Sequence, residues 1–125
     1  MPINTLYDHE RRLIKTTCSG KIGHQDFFNY QKTAWLEPNI TGFNELIDFS
    51  DADLSDICFS DLITIAQKTP KIYSLSKDSK LALVTSTDHQ KQQIEFYISA
   101  RSIAEASDRP TKNFNSLSDA LNWLL

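Results

Sequence analysis

The chain has 125 residues, of which 40% are hydrophobic, 10% aromatic and 23% charged, and its formal net charge at pH 7 is −3. This length fits one domain with its own core, and the composition excludes disordered, collagen-like and disulfide-framework classes. Lys and Arg are scattered through a chain of net negative charge, which excludes nucleic acid as an expected partner.

The first strands are expected at Thr5 to Tyr7 and Leu13 to Cys18. The polar stretch Asp8-His9-Glu10-Arg11-Arg12 turns the chain between them, and so short a link makes an antiparallel hairpin. Ser19-Gly20 ends the hairpin. A helix is expected from His24 to Leu36, with Gly23 as N-cap and Asp26 in the first turn, where the helix dipole favours negative charge. Phe27, Phe28, Gln31, Ala34 and Trp35 fall at helical spacing, and Pro38 stops the helix. Glu45 to Phe49 reads as the third strand.

An acidic loop, Ser50 to Asp56, then leads to a second helix capped by Ser60, with the apolar stripe Leu62, Ile65, Ala66, Thr69, Ile72 and Tyr73. Pro70 either kinks that helix or restarts it with Thr69 as N-cap. Leu81-Ala82-Leu83-Val84 has the length and apolarity of a central strand. A third helix is expected from His89 to Ala106, capped by Thr87 or Asp88, followed by a short strand at Lys112 to Phe114. Ser116-Leu117-Ser118-Asp119 has the capping-box pattern in its Asp form and opens a last helix, Leu117 to Leu124, which buries Leu117, Ala120, Leu121 and Leu124. The order β-β-α-β-α-β-α-β-α predicts an α/β domain over residues 1–125. Its mixed sheet has about five strands, mostly parallel, with four helices, the first strand being the antiparallel one at an edge.

No apolar run approaches the roughly 18 residues of a membrane span. Met1-Pro2-Ile3-Asn4 has none of the features of a signal peptide. A cytoplasmic location is expected, where Cys18 and Cys58 are free thiols. Both are expected to be buried and inert, since no Lys, Arg or His neighbours Cys58 in sequence to lower its pKa.

His9, His24 and His89 stand far apart, none with a second ligand at zinc-site spacing. The chain holds no Gly-x-Ser-x-Gly elbow, no Walker loop and no Gly-x-Gly-x-x-Gly turn, and its three glycines are too few for most phosphate-cradling loops. The densest polar cluster is Asp48, Asp51, Asp53, Ser55, Asp56, Ser60 and Asp61, which follows a strand, where open α/β sheets bind ligands. Asp51-x-Asp53-x-Ser55 starts like a calcium loop, but Asp56 stands where Gly is required and Leu62 where Glu is required. A phosphoryl-accepting receiver domain would need an acidic pair after an early strand and a Lys after the fifth. Thr16-Thr17-Cys18-Ser19 and Asn115-Ser116 stand there instead. No catalytic residue, metal or cofactor is therefore expected.

Three stretches carry a family resemblance. They are Tyr7-Asp8-His9-Glu10-Arg11-Arg12-Leu13-Ile14 with Ser19-Gly20-Lys21-Ile22; Glu45-Leu46-Ile47-Asp48-Phe49-Ser50; and Phe114-Asn115-Ser116-Leu117-Ser118-Asp119-Ala120-Leu121-Asn122-Trp123-Leu124. Together they resemble the opening hairpin, third strand and closing Phe, Ala-Leu and Trp-Leu pattern of the STAS-like family, the anti-sigma-factor antagonist fold. Within it they resemble the SpoIIAA-like branch of small stand-alone proteins, also called STAS/SEC14-like. The resemblance implies regulation by protein contact, with no cofactor. Members that act as switches carry an Asp-Ser pair followed by Gly at the start of the second helix, and that Ser is phosphorylated. Here Asp56-Ile57-Cys58-Phe59 stands in that place, with Ile57 at the phosphoacceptor position.

The expected function is a non-catalytic regulatory or scaffolding module acting by protein–protein contact, without the phosphoserine switch. Its candidate partner surface is Asp51, Asp53, Ser55, Asp56 and Ser60. The alternative is a binder of an apolar small molecule or lipid, with Tyr30, Trp35, Phe96 and Tyr97 lining a pocket. A homodimer is also expected, paired through aromatic-bearing helices such as His24 to Leu36.

Overall fold

The computed structural model describes residues 2–34, 36–67, 79–103 and 109–125. The elements are β1 (Ile3–Asp8), β2 (Leu13–Lys21), α1 (His24–Ala34), β3 (Asn44–Asp53), α2 (Phe59–Gln67), β4 (Leu81–Val84), α3 (Asp88–Ile103), β5 (Thr111–Phe114) and α4 (Leu117–Leu124). The five strands lie side by side in the order β1-β2-β3-β4-β5. The β1–β2 pair is antiparallel and the other three pairs are parallel, so this is the mixed α/β sheet that the sequence pattern implies. Thr69, Pro70, Ile72, Tyr73, Trp35 and Ala106 lie outside the described residues.

Local chemistry sets the element ends. The Asp8 carboxylate accepts from the Arg11 N–H at 3.0 Å and pairs with Arg11 Nε at 2.7 Å, which closes the hairpin turn. At the head of α1, the Gly23 N–H donates to Asp26 Oδ2 at 2.9 Å, so an acidic side chain in the first turn satisfies a donor that the helix leaves open. Thr87 Oγ1 accepts from the Gln90 N–H at 3.1 Å and caps α3. Ser116 caps α4 through the Asp119 N–H at 3.1 Å, as the capping-box pattern requires.

The alternation of strand side chains divides the core in two. Ile14, Cys18, Ile47, Phe49, Leu81 and Leu83 face α1, α2 and α3, where Phe27, Tyr30, Leu62, Ile65, Ile94 and Tyr97 pack on them. Leu13, Leu46, Ala82 and Val84 face the other way and meet Ala120 and Leu124 of α4, with Leu117, Leu121 and Trp123 partly buried around them. All four residues of β4 are buried, as expected of an interior strand with both faces covered.

One polar chain crosses the apolar core. Glu45 is fully buried at the start of β3, and its Oε1 pairs with Arg109 Nη1 at 3.0 Å. The buried Tyr30 hydroxyl donates to Glu45 Oε2 and accepts from Thr16 Oγ1 at 2.9 Å, and Thr16 lies 3.3 Å from Thr5 Oγ1. Burial, followed by the Glu45 charge, pushes the Tyr30 hydroxyl well above its ordinary pKa, so it stays a donor. These contacts tie β1, β2, α1, β3 and the segment leading into β5 to one another.

Two stability predictions follow from this packing. Truncation after Asn122 removes Leu124, which is 5% exposed, and Trp123, whose ring meets Phe114 at 5.5 Å and carries the Lys80 ammonium 5.3 Å above it. The truncated chain is expected to lose about 3 kcal/mol or more; an unchanged urea-unfolding midpoint would refute this. Arg109→Ala removes the guanidinium from a fully buried carboxylate and is expected to cost about 3–5 kcal/mol, whereas the double replacement Glu45→Leu with Arg109→Met is expected to recover most of that. Equal unfolding midpoints for Arg109→Ala and the unaltered protein would show that the pair contributes nothing.

Candidate functional site

Asp51 and Asp53 belong to β3 rather than to a loop, because the strand runs four residues past Phe49. Its last part pairs Asp51, Ala52 and Asp53 with Ser19, Gly20 and Lys21 of β2. The sequence places an acidic loop from Ser50 onward; backbone pairing with the extended end of β2 overrides that reading. Between Thr17↔Asp48 and Ser19↔Asp51 the register shifts by one residue, a bulge on β3. A bulge reverses the alternation of side chains beyond it. Ile47 and Phe49 point into the core before it, whereas after it Ala52 packs inward and Asp51 and Asp53 are exposed. Gly20, at φ +70°, supplies the left-handed backbone that β2 adopts opposite this point.

The chain then turns tightly. Asp53 Oδ1 accepts from the Ser55 N–H at 2.9 Å, and the Ile57 N–H donates to the Leu54 carbonyl at 3.0 Å. The hydrogen bonds from Ser55 hold the Asp53 carboxyl below its ordinary pKa. Leu54 and Ile57 are buried, and they anchor the turn between exposed Ser55 and Asp56. Asp56 Oδ2 lies 3.5 Å from Lys21 Nζ, an exposed ion pair of small energetic weight.

Two glutamines of α3 hold this rim from beneath, and nothing in the sequence pattern singled them out. Gln90 Nε2 donates to the carbonyls of Phe49 and Ala52, at 3.1 and 2.7 Å. Gln93 Nε2 donates to those of Leu54 and Ile57, both at 2.9 Å. Their spacing of three puts both on one face of α3. The signal available in sequence was a pair of amides among the buried positions of a helix. Ser86 Oγ adds a bond to the Ser50 carbonyl at 2.9 Å.

Ser60 is not the cap of α2. The helix begins at Phe59, which puts Cys58 at the cap and Ser60 in the first turn. Asp61 Oδ2 accepts from the Cys58 N–H at 3.1 Å and from its Sγ at 3.2 Å, so the capping carboxylate comes from inside the helix. These bonds from Cys58 hold the Asp61 carboxyl below its ordinary pKa. Ser60 Oγ lies 2.9 Å from Cys58 Sγ and is exposed.

Cys58 is likewise exposed, contrary to the expectation that both thiols are buried. The capping position places its side chain outside the helix. Cys18 is buried as expected, and desolvation, with a smaller contribution from Asp48, pushes its thiol up to about 12.

Asp51, Asp53, Ser55, Asp56 and Ser60 thus lie along one edge of the structure, from the end of β3 to the first turn of α2. Of the candidate pocket residues, Tyr30 and Tyr97 are core, Phe96 is half-buried against Phe59 at 4.8 Å, and Trp35 lies outside the described residues. The cavity between α2, α3 and the sheet, lined by Phe27, Phe49, Ile57, Leu62, Gln93 and Tyr97 among others, measures about 10 Å³. That is space for about one water molecule. Among the described residues no group of three His, Cys, Asp or Glu side chains is placed to hold a metal, and no helix is long and apolar enough to cross a membrane.

No protein-family profile and no curated protein matches the chain. Its structure is similar to the crystal structure of an uncharacterized protein of the DUF3478 family, with a SpoIIAA-like fold, from Shewanella loihica PV-4. The TM-score is 0.54 and the identity 21%, over 98% of this chain and 92% of that one. At this identity the likeness speaks to architecture, and it agrees with the resemblance carried by the opening hairpin, the third strand and the closing Phe114 to Leu124 stretch. The chain has a SpoIIAA-like fold.

Proposed function

We propose that this protein is a non-catalytic regulatory or scaffolding module that works by protein–protein contact through the acidic rim. The observation that carries the reading is the rim itself. Asp51, Asp53 and Asp56 are exposed on a backbone held by four hydrogen bonds from Gln90 and Gln93. A surface fixed in advance loses little conformational entropy on binding. Its carboxylates steer a basic partner and repel an acidic one, so binding weakens as salt rises. With Ile57 buried at the phosphoacceptor position, contact at this surface is not switched by phosphorylation there.

The apolar-ligand alternative gains nothing from the cavity under α2 and α3, which is too small for a lipid chain. Of the α1 aromatics named for a homodimer contact, Phe27 and Tyr30 are buried in the protein's own core and Phe28 is half-buried.

Replacing Asp53 and Asp56 together by Asn is expected to reduce recovery of native partners in a pull-down while shifting the unfolding midpoint little, since Asn keeps an oxygen that accepts from the Ser55 N–H and the Asp56–Lys21 pair is exposed. Undiminished recovery by the double variant would place the working surface elsewhere. Ser60→Ala is expected to change stability by no more than about 0.5 kcal/mol, because Ser60 caps nothing; Asp61→Ala, which removes the carboxylate that accepts from the Cys58 N–H, is expected to lower the unfolding midpoint. If Ser60→Ala proves the more damaging of the two, the assignment of the cap to Cys58 and Asp61 is wrong.

A further inference from the structure

Among the described residues β1 is an edge strand of the sheet, and the register determines which of its backbone groups are open. The Ser19 N–H donates to the Pro2 carbonyl at 2.8 Å, and the Arg12 carbonyl accepts from Asn44 of β3 at 3.0 Å. The odd-numbered residues of β2 from Leu13 to Ser19 therefore direct their backbone groups at β1, where they meet Pro2, Asn4, Leu6 and Asp8. Ile3, Thr5 and Tyr7 turn their N–H and C=O groups outward.

The same three residues point their side chains to the α1 side, opposite Cys18, Thr16 and Ile14. A groove of about 280 Å³ runs there between β1 and α1. It is lined by Pro2, Ile3, Thr5, Asp26, Asn29, Tyr30 and Thr33. The open backbone row and the groove thus coincide, and a strand laid along β1 would drop every second side chain into the groove.

Protein edges are usually blunted by lysine, proline, a bulge or a covering element. Ile3 to Tyr7 contains none of the first three, and the register with β2 is unbroken along β1. The groove's charge is one-sided. Among the described residues that line it, Asp26 is the one carboxylate and none is a cation. The nearby Arg11 is paired with Asp8.

We propose that the free edge of β1, with the groove between β1 and α1, receives an extended basic segment of a partner protein as a sixth strand of the sheet. Main-chain hydrogen bonds to Ile3, Thr5 and Tyr7 supply the attachment, and side chains entering the groove beside Asp26 supply the selection. The surface is separate from the acidic rim and does not rest on its role.

The test uses two capped octapeptides, one alternating Lys with Val and one alternating Glu with Val, titrated into the full chain while backbone amide signals are followed by NMR. The Lys peptide is expected to perturb the Ile3, Thr5 and Tyr7 amides and protect them from exchange, and to bind at least about tenfold more tightly than the Glu peptide. Thr5→Pro removes an outward N–H without touching the β2 ladder and is expected to abolish that binding. Asn29→Lys, at an exposed groove position, is expected to invert the preference between the peptides, which keeps the proposal testable should the proline variant misfold. Equal binding of the two peptides, no binding at all, or perturbation confined to the acidic rim overturns the proposal. So does a dimer of the peptide-free protein in sedimentation that Thr5→Pro converts to monomer, which would assign the edge to a second copy of this chain.

Discussion

The buried pair of Glu45 and Arg109 is the constraint on which much of the architecture depends. Taking both charges out of water costs several kcal/mol per ion, and only good geometry with further hydrogen bonds offsets it. Here the carboxylate has Arg109 on one oxygen and the Tyr30 hydroxyl on the other, with Thr16 behind the phenol. Each partner comes from a different part of the chain. The pair therefore determines where α1 sits above the hairpin and where the chain must arrive before β5.

A second polar arrangement acts in the same way at the other end of the sheet. Gln90 and Gln93 donate to four backbone carbonyls of β3 and the following turn, none of which has a strand partner in that direction. An irregular backbone is thereby given the satisfaction that a ladder gives a strand. The bulge in β3 adds the orientation, turning carboxylates that would otherwise face the core toward solvent. An acidic surface results whose backbone is determined by α3 and whose side chains remain free.

The two faces of the sheet are unevenly covered. Three helices lie on one side and α4 alone on the other, and Leu6, on the α4 side of the edge strand, is 69% exposed. Among the described residues, the chain's distinctive surfaces are its edges rather than an interior cavity: the acidic rim at the end of β3, and the open backbone row of β1.

Element order, the antiparallel first pair, the interior position of Leu81 to Val84 and the span of α4 were all legible in the sequence. Each rests on local information: hydrophobic periodicity, the short polar turn at Asp8 to Arg12, and the Ser116 cap. The acidic residues of the candidate surface were legible too, as a cluster. What tertiary structure alone decided was how they are presented. Strand pairing with Ser19 to Lys21 placed Asp51 and Asp53 on β3 and introduced the bulge that faces them outward. The cap of α2 is local instead: Asp61 accepts from Cys58 three residues earlier, so Cys58 rather than Ser60 opens the helix. The partnership of Glu45 with Arg109 joins residues 64 positions apart, and the glutamine clamp joins residues 36 to 41 apart. No periodicity records such pairs, because their energy depends on exclusion of water from a site that exists only once the sheet and its helices have closed over it.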